Sequence, residues 1–299
     1  MYDVIIIGAG VVGGSIFREL TKYKLKVLVL EKENDVAMGT TKANSAIIHA
    51  GFDPKSGTTI SKHNVIGNKM YEKLCLELDV PFKRNGAMVV AFNESDMNIL
   101  KKLYENGKKA NVEGLEILSR EQSLIREPNL SEEVMGALYA PKSGIVCPFE
   151  YTIALFENGV ENGGRLRLKK EVTSIAKSDD IFIVKTRDGL EFKSKYVVNA
   201  AGVYADKIHN MICPERFSIT PRLGEYLILD KNQGTLFSNT IFQCPTKKGK
   251  GVLVTPTVHG NLLVGPDAID TNDKEDVGTI CSELENIRNV SLKTTKKIN

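Results

Sequence analysis

The first thirty-one residues constrain this chain more than any other segment. Asp3-Val-Ile-Ile-Ile-Gly8 is a short apolar run of mostly β-branched residues, the length of a strand buried on both faces. Gly8-Ala-Gly10-Val-Val-Gly13 follows at once and opens a helical stretch to about Tyr23. Lys26–Leu30 is a second buried strand, and it ends in Glu31. Strand, glycine turn, helix, strand and acid in this order form the β-α-β fingerprint of dinucleotide binding. Gly8 permits the tight turn, Gly10 leaves room for a pyrophosphate against the backbone, and Gly13 lets the helix pack close to the sheet. The helix N-terminus turns free N–H groups and a positive dipole end toward phosphates. Glu31 lies 18 residues beyond Gly13, where a carboxylate accepts hydrogen bonds from ribose hydroxyls. The register of all these parts distinguishes the segment from a glycine-rich turn in some other α/β fold.

The chain has 299 residues, room for two domains or for one domain split by an insertion. With 42% apolar and 26% charged residues it is not predominantly disordered. No apolar run approaches the ~20 residues of a membrane-spanning helix. The net charge of +3, from 40 basic and 37 acidic residues, is too balanced for a nucleic-acid-binding face. Cys75, Cys147, Cys213, Cys244 and Cys281 are scattered, with no CxxC pair, so neither a metal site nor a disulfide framework is expected. The N-terminus enters its first strand without a targeting signal, and we read a reduced, cytoplasmic compartment.

The cofactor type follows from what comes after Glu31. An NAD domain continues with a helix and a third parallel strand, whereas Asn34 to Ser45 is polar and loop-like, and a helical pattern occupies Thr59 to Leu78. Strands suited to the same sheet return only at Arg165–Leu168 and Tyr196–Ala200, the latter running into Ala201-Gly202 and a helix from about Tyr204. A nucleotide domain interrupted in this way suits FAD, a long cofactor that the inserted material covers.

Elsewhere, Gly86–Phe92 and Val134–Ala140 read as strands, and 93–111 as a helix. Ser119-Arg-Glu-Gln122 is a capping box opening a short helix, and Pro148 starts a helix that stops at Gly163-Gly164. Val172–Ala176, Ile181–Thr186 and Leu190–Phe192 alternate as strands, with a turn at 187–189. From Phe217 to Pro266 the pattern is mostly β, with strands at Gly224–Leu229, Gly251–Val254 and Asn261–Val264 and a hairpin turn at His259-Gly260.

Met1–Lys32, Thr40–Asp53, Tyr196–Gly202 and Pro221–Asp230 resemble the D-amino-acid-oxidase-type flavoproteins. Thr40-Thr-Lys-Ala-Asn44-Ser45-Ala-Ile-Ile-His49-Ala-Gly51-Phe-Asp53 is similar to the flavin loop of their glycerol-3-phosphate oxidase and dehydrogenase group. The 248–256 and 262–266 stretches resemble that group's substrate-domain strands. The resemblance runs from Met1 to about Thr279. It implies an α/β fold: a Rossmann-like, glutathione-reductase-type FAD-binding domain (1–80 and 146–216) interrupted by an α+β substrate domain with an antiparallel sheet (81–145 and 217–279). Residues 280–299 read as a polar tail, without the glycine-rich flavin-contacting segment with which this group continues. By that resemblance Lys32, Thr40, Thr41, Asn44, Ser45, Val172, Ala201 and Gly202 join Gly8, Gly10, Gly13 and Glu31 in contacting FAD.

Flavin-dependent alcohol oxidation needs a base for the hydroxyl proton, and imidazole titrates in the right range. His49, in the small apolar setting Ile47-Ile48-His49-Ala50-Gly51, is either that base or a packed loop histidine. The resemblance favours the base. A phosphate-bearing substrate needs cations. Lys250 and Arg222 are the candidates, against readings as a solvated loop lysine and a structural ion pair, and Ser45 is a further substrate contact. The expected reaction is oxidation of glycerol 3-phosphate to dihydroxyacetone phosphate, with oxygen or an unknown acceptor. The alternatives are oxidation of a 2-hydroxy acid or amine on the same scaffold, and a non-catalytic FAD-binding fragment.

Overall fold

A computed structural model describes residues 1–245 and 251–298. The opening fingerprint folds as β1 (Tyr2–Ile7), α1 (Val11–Leu20) and β2 (Val27–Leu30). β1 is the central strand of a six-stranded sheet, with β2 on one side and the Glu191–Asn199 strand on the other, both parallel to it. Arg165–Arg167 adds a fourth parallel strand beside β2. Alternation along β1 explains why the strand is apolar throughout. Val4 and Ile6 join Phe17 of α1 and Phe156 of the Pro148–Glu161 helix on one face, while Ile5 and Ile7 join Val172, Ile175, Val184 and Ile208 on the other.

The Glu191–Asn199 strand merges two segments that the sequence presents as separate. Its first half pairs antiparallel with Ile181–Thr186, which pairs in turn with Val172–Ser178. Its second half runs parallel to β1. Ser194, fully buried, partners Phe182 on one side and Tyr2 on the other, and its hydroxyl donates to the Tyr196 carbonyl at 3.0 Å. A buried serine satisfied within its own strand reads in sequence as a polar break.

The second sheet has seven strands in the order 227–229, 262–265, 253–256, 240–243, 87–91, 136–140, 116–119. Its neighbours are antiparallel except the pair Thr240–Gln243 and Ala87–Ala91, which is parallel. The parallel pair joins strands from the two separated parts of the chain, where no hairpin constrains direction. One face carries the Glu94–Lys109 helix and the Ala50–Phe52 segment, with Ala87, Val89, Leu100 and Leu115 between them. The other carries Met88, Val90, Ile241 and Val254.

Residues 280–299 are not simply a polar tail. Cys281–Ser291 is a helix, and Ile287 on it is fully buried against the second face, with Leu284 and Val290 beside it. Three apolar residues at a spacing of three make a stripe just wide enough to pack on the sheet. The buried Glu225 carboxylate accepts the Ile280 N–H at the N-terminus of this helix. The capping box is made as expected. The Ser119 hydroxyl accepts the Gln122 N–H, and the Gln122 side chain accepts the Ser119 N–H.

Candidate active site

The glycine turn sits at the C-terminal end of β1, wedged between α1 and the 199–202 segment. Gly8 has φ +106°, and a side-chain carbon there would lie 2.4 Å from the Ala200 carbonyl oxygen. At Gly13 it would lie 2.1 Å from the Gly8 carbonyl oxygen, so α1 can start only where both residues are glycine. Gly10 is the N-cap of α1. Gly10 itself brings no side chain to cap this end, and no acid occupies its first turn. The Val11 N–H donates to Thr41 Oγ1 at 3.0 Å, so the Thr40–Lys42 turn is docked on the helix N-terminus. Glu31 turns back on the same turn: one carboxylate oxygen accepts the Ala9 N–H at 2.6 Å and the other the Glu33 N–H at 2.9 Å. A carboxylate has about four acceptor positions, so two remain for hydroxyls.

The other candidates around this turn are placed as follows. Lys32 is ion-paired with Glu33 and Glu275, each at 3.2 Å, and lies 4.1 Å from the centre of the Tyr204 ring. Burial lowers its pKa, but the two carboxylates more than compensate and hold it above the ordinary lysine value. The Thr40 carbonyl accepts from Ala43. Asn44 folds the loop on itself, donating to the Thr41 carbonyl at 2.6 Å and accepting the Ala46 N–H at 2.7 Å. Val172 is buried beneath the sheet and opens its strand opposite Thr186. Ala201 donates to the Asn199 side chain at 3.3 Å, and Gly202, at φ +56°, begins a short turn to Tyr204.

A second group of residues gathers where the loop meets the other sheet. Ile47–Ile48 pairs antiparallel with Gly144–Val146, and the Val146 N–H donates to the Ala46 carbonyl. These bonds fix the backbone leading into His49. The His49 carbonyl accepts from Asn68 at 3.0 Å. The same Asn68 nitrogen also reaches the Lys142 carbonyl at 2.8 Å, and its oxygen accepts from Arg84 at 2.9 Å. The imidazole stacks on Phe242 of the second sheet, with ring centres 5.9 Å apart at 30°. His49, Phe52, Asp53, Phe242 and Gln243 line a small recess. Ser45 shares a hydrogen bond with Tyr226, whose phenol pKa is raised by burial against the opposing effect of that bond.

Ser45 and His49 are therefore brought to one side of the loop, facing groups from the second sheet and its border. Arg222 is committed elsewhere. In the two-stranded ribbon of Arg222–Leu223 and Ile269–Asp270, its guanidinium holds the Asp270 carboxylate at 2.6 and 3.2 Å. That is the structural ion pair left open by the sequence. Lys250 lies outside the described residues. Phe242 and Asn68 are contacts the sequence did not single out as site residues. Tyr226, in the resembling Pro221–Asp230 stretch, reads in the sequence as a pocket cap or a packing residue, with packing favoured, and its phenol is hydrogen-bonded to Ser45.

Residues 3–293 match the family described as DAO, FAD dependent oxidoreductase. The chain belongs to this family. Over all 299 residues it is 54% identical to a glycerol 3-phosphate dehydrogenase of Caloramator mitchellensis, and it spans 62% of that protein's length. It is 37% identical over 295 residues to a glycerol 3-phosphate oxidase of Mycoplasma genitalium, covering 96% of this chain and 76% of that one. The structure of dithionite-reduced L-α-glycerophosphate oxidase from Mycoplasma pneumoniae, with FAD bound, superposes with a TM-score of 0.94 at 33% identity. That match covers 100% of this chain and 79% of the other.

The residues of this chain fit the cofactor named in the family's description. At Gly10 a side-chain carbon would stand 3.0 Å from Thr41 Oγ1, so glycine keeps the approach to the helix N-terminus clear. The α1 N-terminus suits a pyrophosphate, and Glu31 suits a ribose.

Proposed function

We propose that the protein oxidises glycerol 3-phosphate to dihydroxyacetone phosphate with FAD, in the cytoplasm. The observation that carries this reading is the placement of His49. An imidazole with its backbone pinned stands at the joint between the nucleotide sheet and a second sheet. The identities with glycerol 3-phosphate dehydrogenase and oxidase support the substrate class.

Bound FAD would supply the hydride-accepting chemistry of the reaction. The protein's own residues supply position and proton transfer. An imidazole nitrogen of His49 receives the hydroxyl proton, and the Phe242 ring fixes the imidazole plane and keeps water from one face. The Ser45 and Tyr226 hydroxyls, already hydrogen-bonded to each other, offer a polar contact beside it. The Val12 and Gly13 N–H groups at the α1 N-terminus would hold the cofactor phosphates, with Thr41 bracing that end through Val11 and Glu31 reaching the ribose. Lys250 is retained as the phosphate-binding cation. Arg222 is left out of the proposed site because Asp270 neutralises it.

The test is the visible spectrum of the flavin-loaded protein without oxygen. Bleaching by glycerol 3-phosphate, with competition by inorganic phosphate, is the expected result. Bleaching by a 2-hydroxy acid that phosphate does not affect would transfer the reading to that substrate class. A flavin that neither class reduces would leave a cofactor-binding chain without this activity.

A further inference from the structure

Cys147, Glu150 and His259 stand apart from the residues assigned above. One donor atom from each, the thiol sulfur, a carboxylate oxygen and an imidazole nitrogen, lies within 4.8 Å of the other two. Cys147 is the N-cap of the Pro148–Glu161 helix, yet its side chain makes no capping bond. Glu150 is three residues on, in the first turn, which places both groups on the same side of the helix end. His259 comes from the turn joining Leu253–Pro256 to Leu262–Gly265 in the second sheet. That turn is fixed by the Gly260 N–H on the Thr257 carbonyl and the Asn261 N–H on the Thr257 hydroxyl.

A second observation points to a ligand. Glu150 Oε1 lies 3.5 Å from His259 Nε2, while Glu150 Oε2 is shielded from solvent and has no hydrogen-bond partner. A carboxylate oxygen in that state needs a cation or a donor. Cys147 is buried and His259 about half exposed, so the cluster has a closed end and an open end.

We propose that Cys147, Glu150 and His259 bind one zinc ion. Thiolate, imidazole and carboxylate are the ligand types zinc takes, and three protein ligands leave a fourth position for water. Two anionic ligands balance the ion's charge. On binding, the Cys147 thiol releases its proton to solvent as the sulfur–zinc bond forms. The ion ties a helix packed on the nucleotide sheet to a hairpin of the second sheet. Cys147 also directly follows the Gly144–Val146 strand, and the antiparallel register of Ile47 with Ile145 carries it toward Ser45 rather than His49, so the tie lies at the flavin-loop end of that ladder without including the proposed catalytic residue.

The test uses the full, flavin-loaded chain. Equilibrium dialysis against zinc should give one bound ion per chain. Cobalt substitution should give red-end d–d bands, beyond the flavin's absorption, in the difference spectrum, together with a thiolate charge-transfer band. Both sets of bands should vanish in Cys147→Ser and in His259→Gln and persist in Cys281→Ser. His259→Gln changes an exposed turn residue, so its loss of metal cannot be attributed to failed folding as long as its flavin content is unchanged. Absence of stoichiometric zinc in the wild type, cobalt bands that survive either of the first two substitutions, or bands lost in Cys281→Ser would overturn the proposal.

Discussion

His49 is positioned by its backbone as much as by its ring. Its carbonyl is held by Asn68, and the strand before it is held by Gly144–Val146. Substitution should therefore leave the loop in place and remove only the imidazole. His49→Asn is expected to slow flavin reduction by roughly 10²–10⁴-fold, the usual contribution of a general base, with FAD content unchanged. Stopped-flow reduction alongside the flavin-to-protein absorbance ratio measures both quantities. Gly13→Ala is expected to do the reverse. With Gly8's carbonyl oxygen 2.1 Å from the new carbon, α1 must shift off the turn, and purified protein should carry little FAD. The glycine turn and His49 were legible in sequence because their chemistry is carried by residue type within one short segment. Phe242 and Asn68 were not. Phenylalanine in a strand and asparagine in a helix have ordinary packing and solvent roles, and only the tertiary fold turns them toward His49. Arg222 shows the same limit from the other side. Arginine near a pocket-forming stretch suggests an anion site, and its carboxylate partner on a neighbouring strand cannot be seen before the strands are paired.

At the scale of elements, the Cys281–Ser291 helix is the clearest departure from the sequence reading. Its composition is polar, and only the stripe of Leu284, Ile287 and Val290 marks it as a packed helix. Ile287→Ala is expected to destabilise the protein by about 2–5 kcal/mol, the range for a fully buried aliphatic truncated in a core, as read by chemical denaturation. The short helix Ala205–His209 makes a different kind of joint. Lys274, from the segment after the second sheet, donates to the Asp206 carboxylate at 2.5 Å and to the Val203 carbonyl at 2.8 Å, with both charged side chains largely buried. Burial works against the Asp206 charge. Lys274 and the Ile219 and Lys207 N–H groups overcome it and lower the pKa to about 2. A depressed carboxylate stabilises the fold above its unfolded pKa, near 4, and loses that contribution as pH falls toward its folded value. Asp206→Asn should therefore lower Tm at pH 7, and the gap from wild type should narrow as pH falls from about 4 to about 2. A gap that stays constant over that range would show that the pair's charge is not what stabilises the joint.

Across the whole molecule, the proposed cofactor contacts are all contributed by the nucleotide sheet and the Thr40–Ser45 loop. The rings facing His49 and Ser45, by contrast, come from the second sheet and its border: Phe242 on a strand and Tyr226 just before one. The division into two interleaved sheets could be anticipated because the chain leaves the nucleotide sheet after Glu31 and offers strands suited to it again only from Arg165 and Tyr196. The parallel pairing of Thr240–Gln243 with Ala87–Ala91 could not, because nothing local sets the direction of two strands so far apart in sequence. FAD bound mainly to one body should stabilise both through the loop between them. A single thermal transition that moves upward with free FAD is expected, by an amount corresponding to about 2.7 kcal/mol at a hundredfold excess over Kd. Scanning calorimetry with and without added FAD measures it, and two separating transitions would mean that the sheets unfold independently. The doubly paired strand Glu191–Asn199 has a further implication for a chain growing from the ribosome. Tyr2–Ile7 lies between a neighbour made almost at once and another made nearly two hundred residues later. Until that late partner arrives, one whole edge of the strand stays unpaired. That edge must therefore be kept from pairing with other chains while the intervening residues are made.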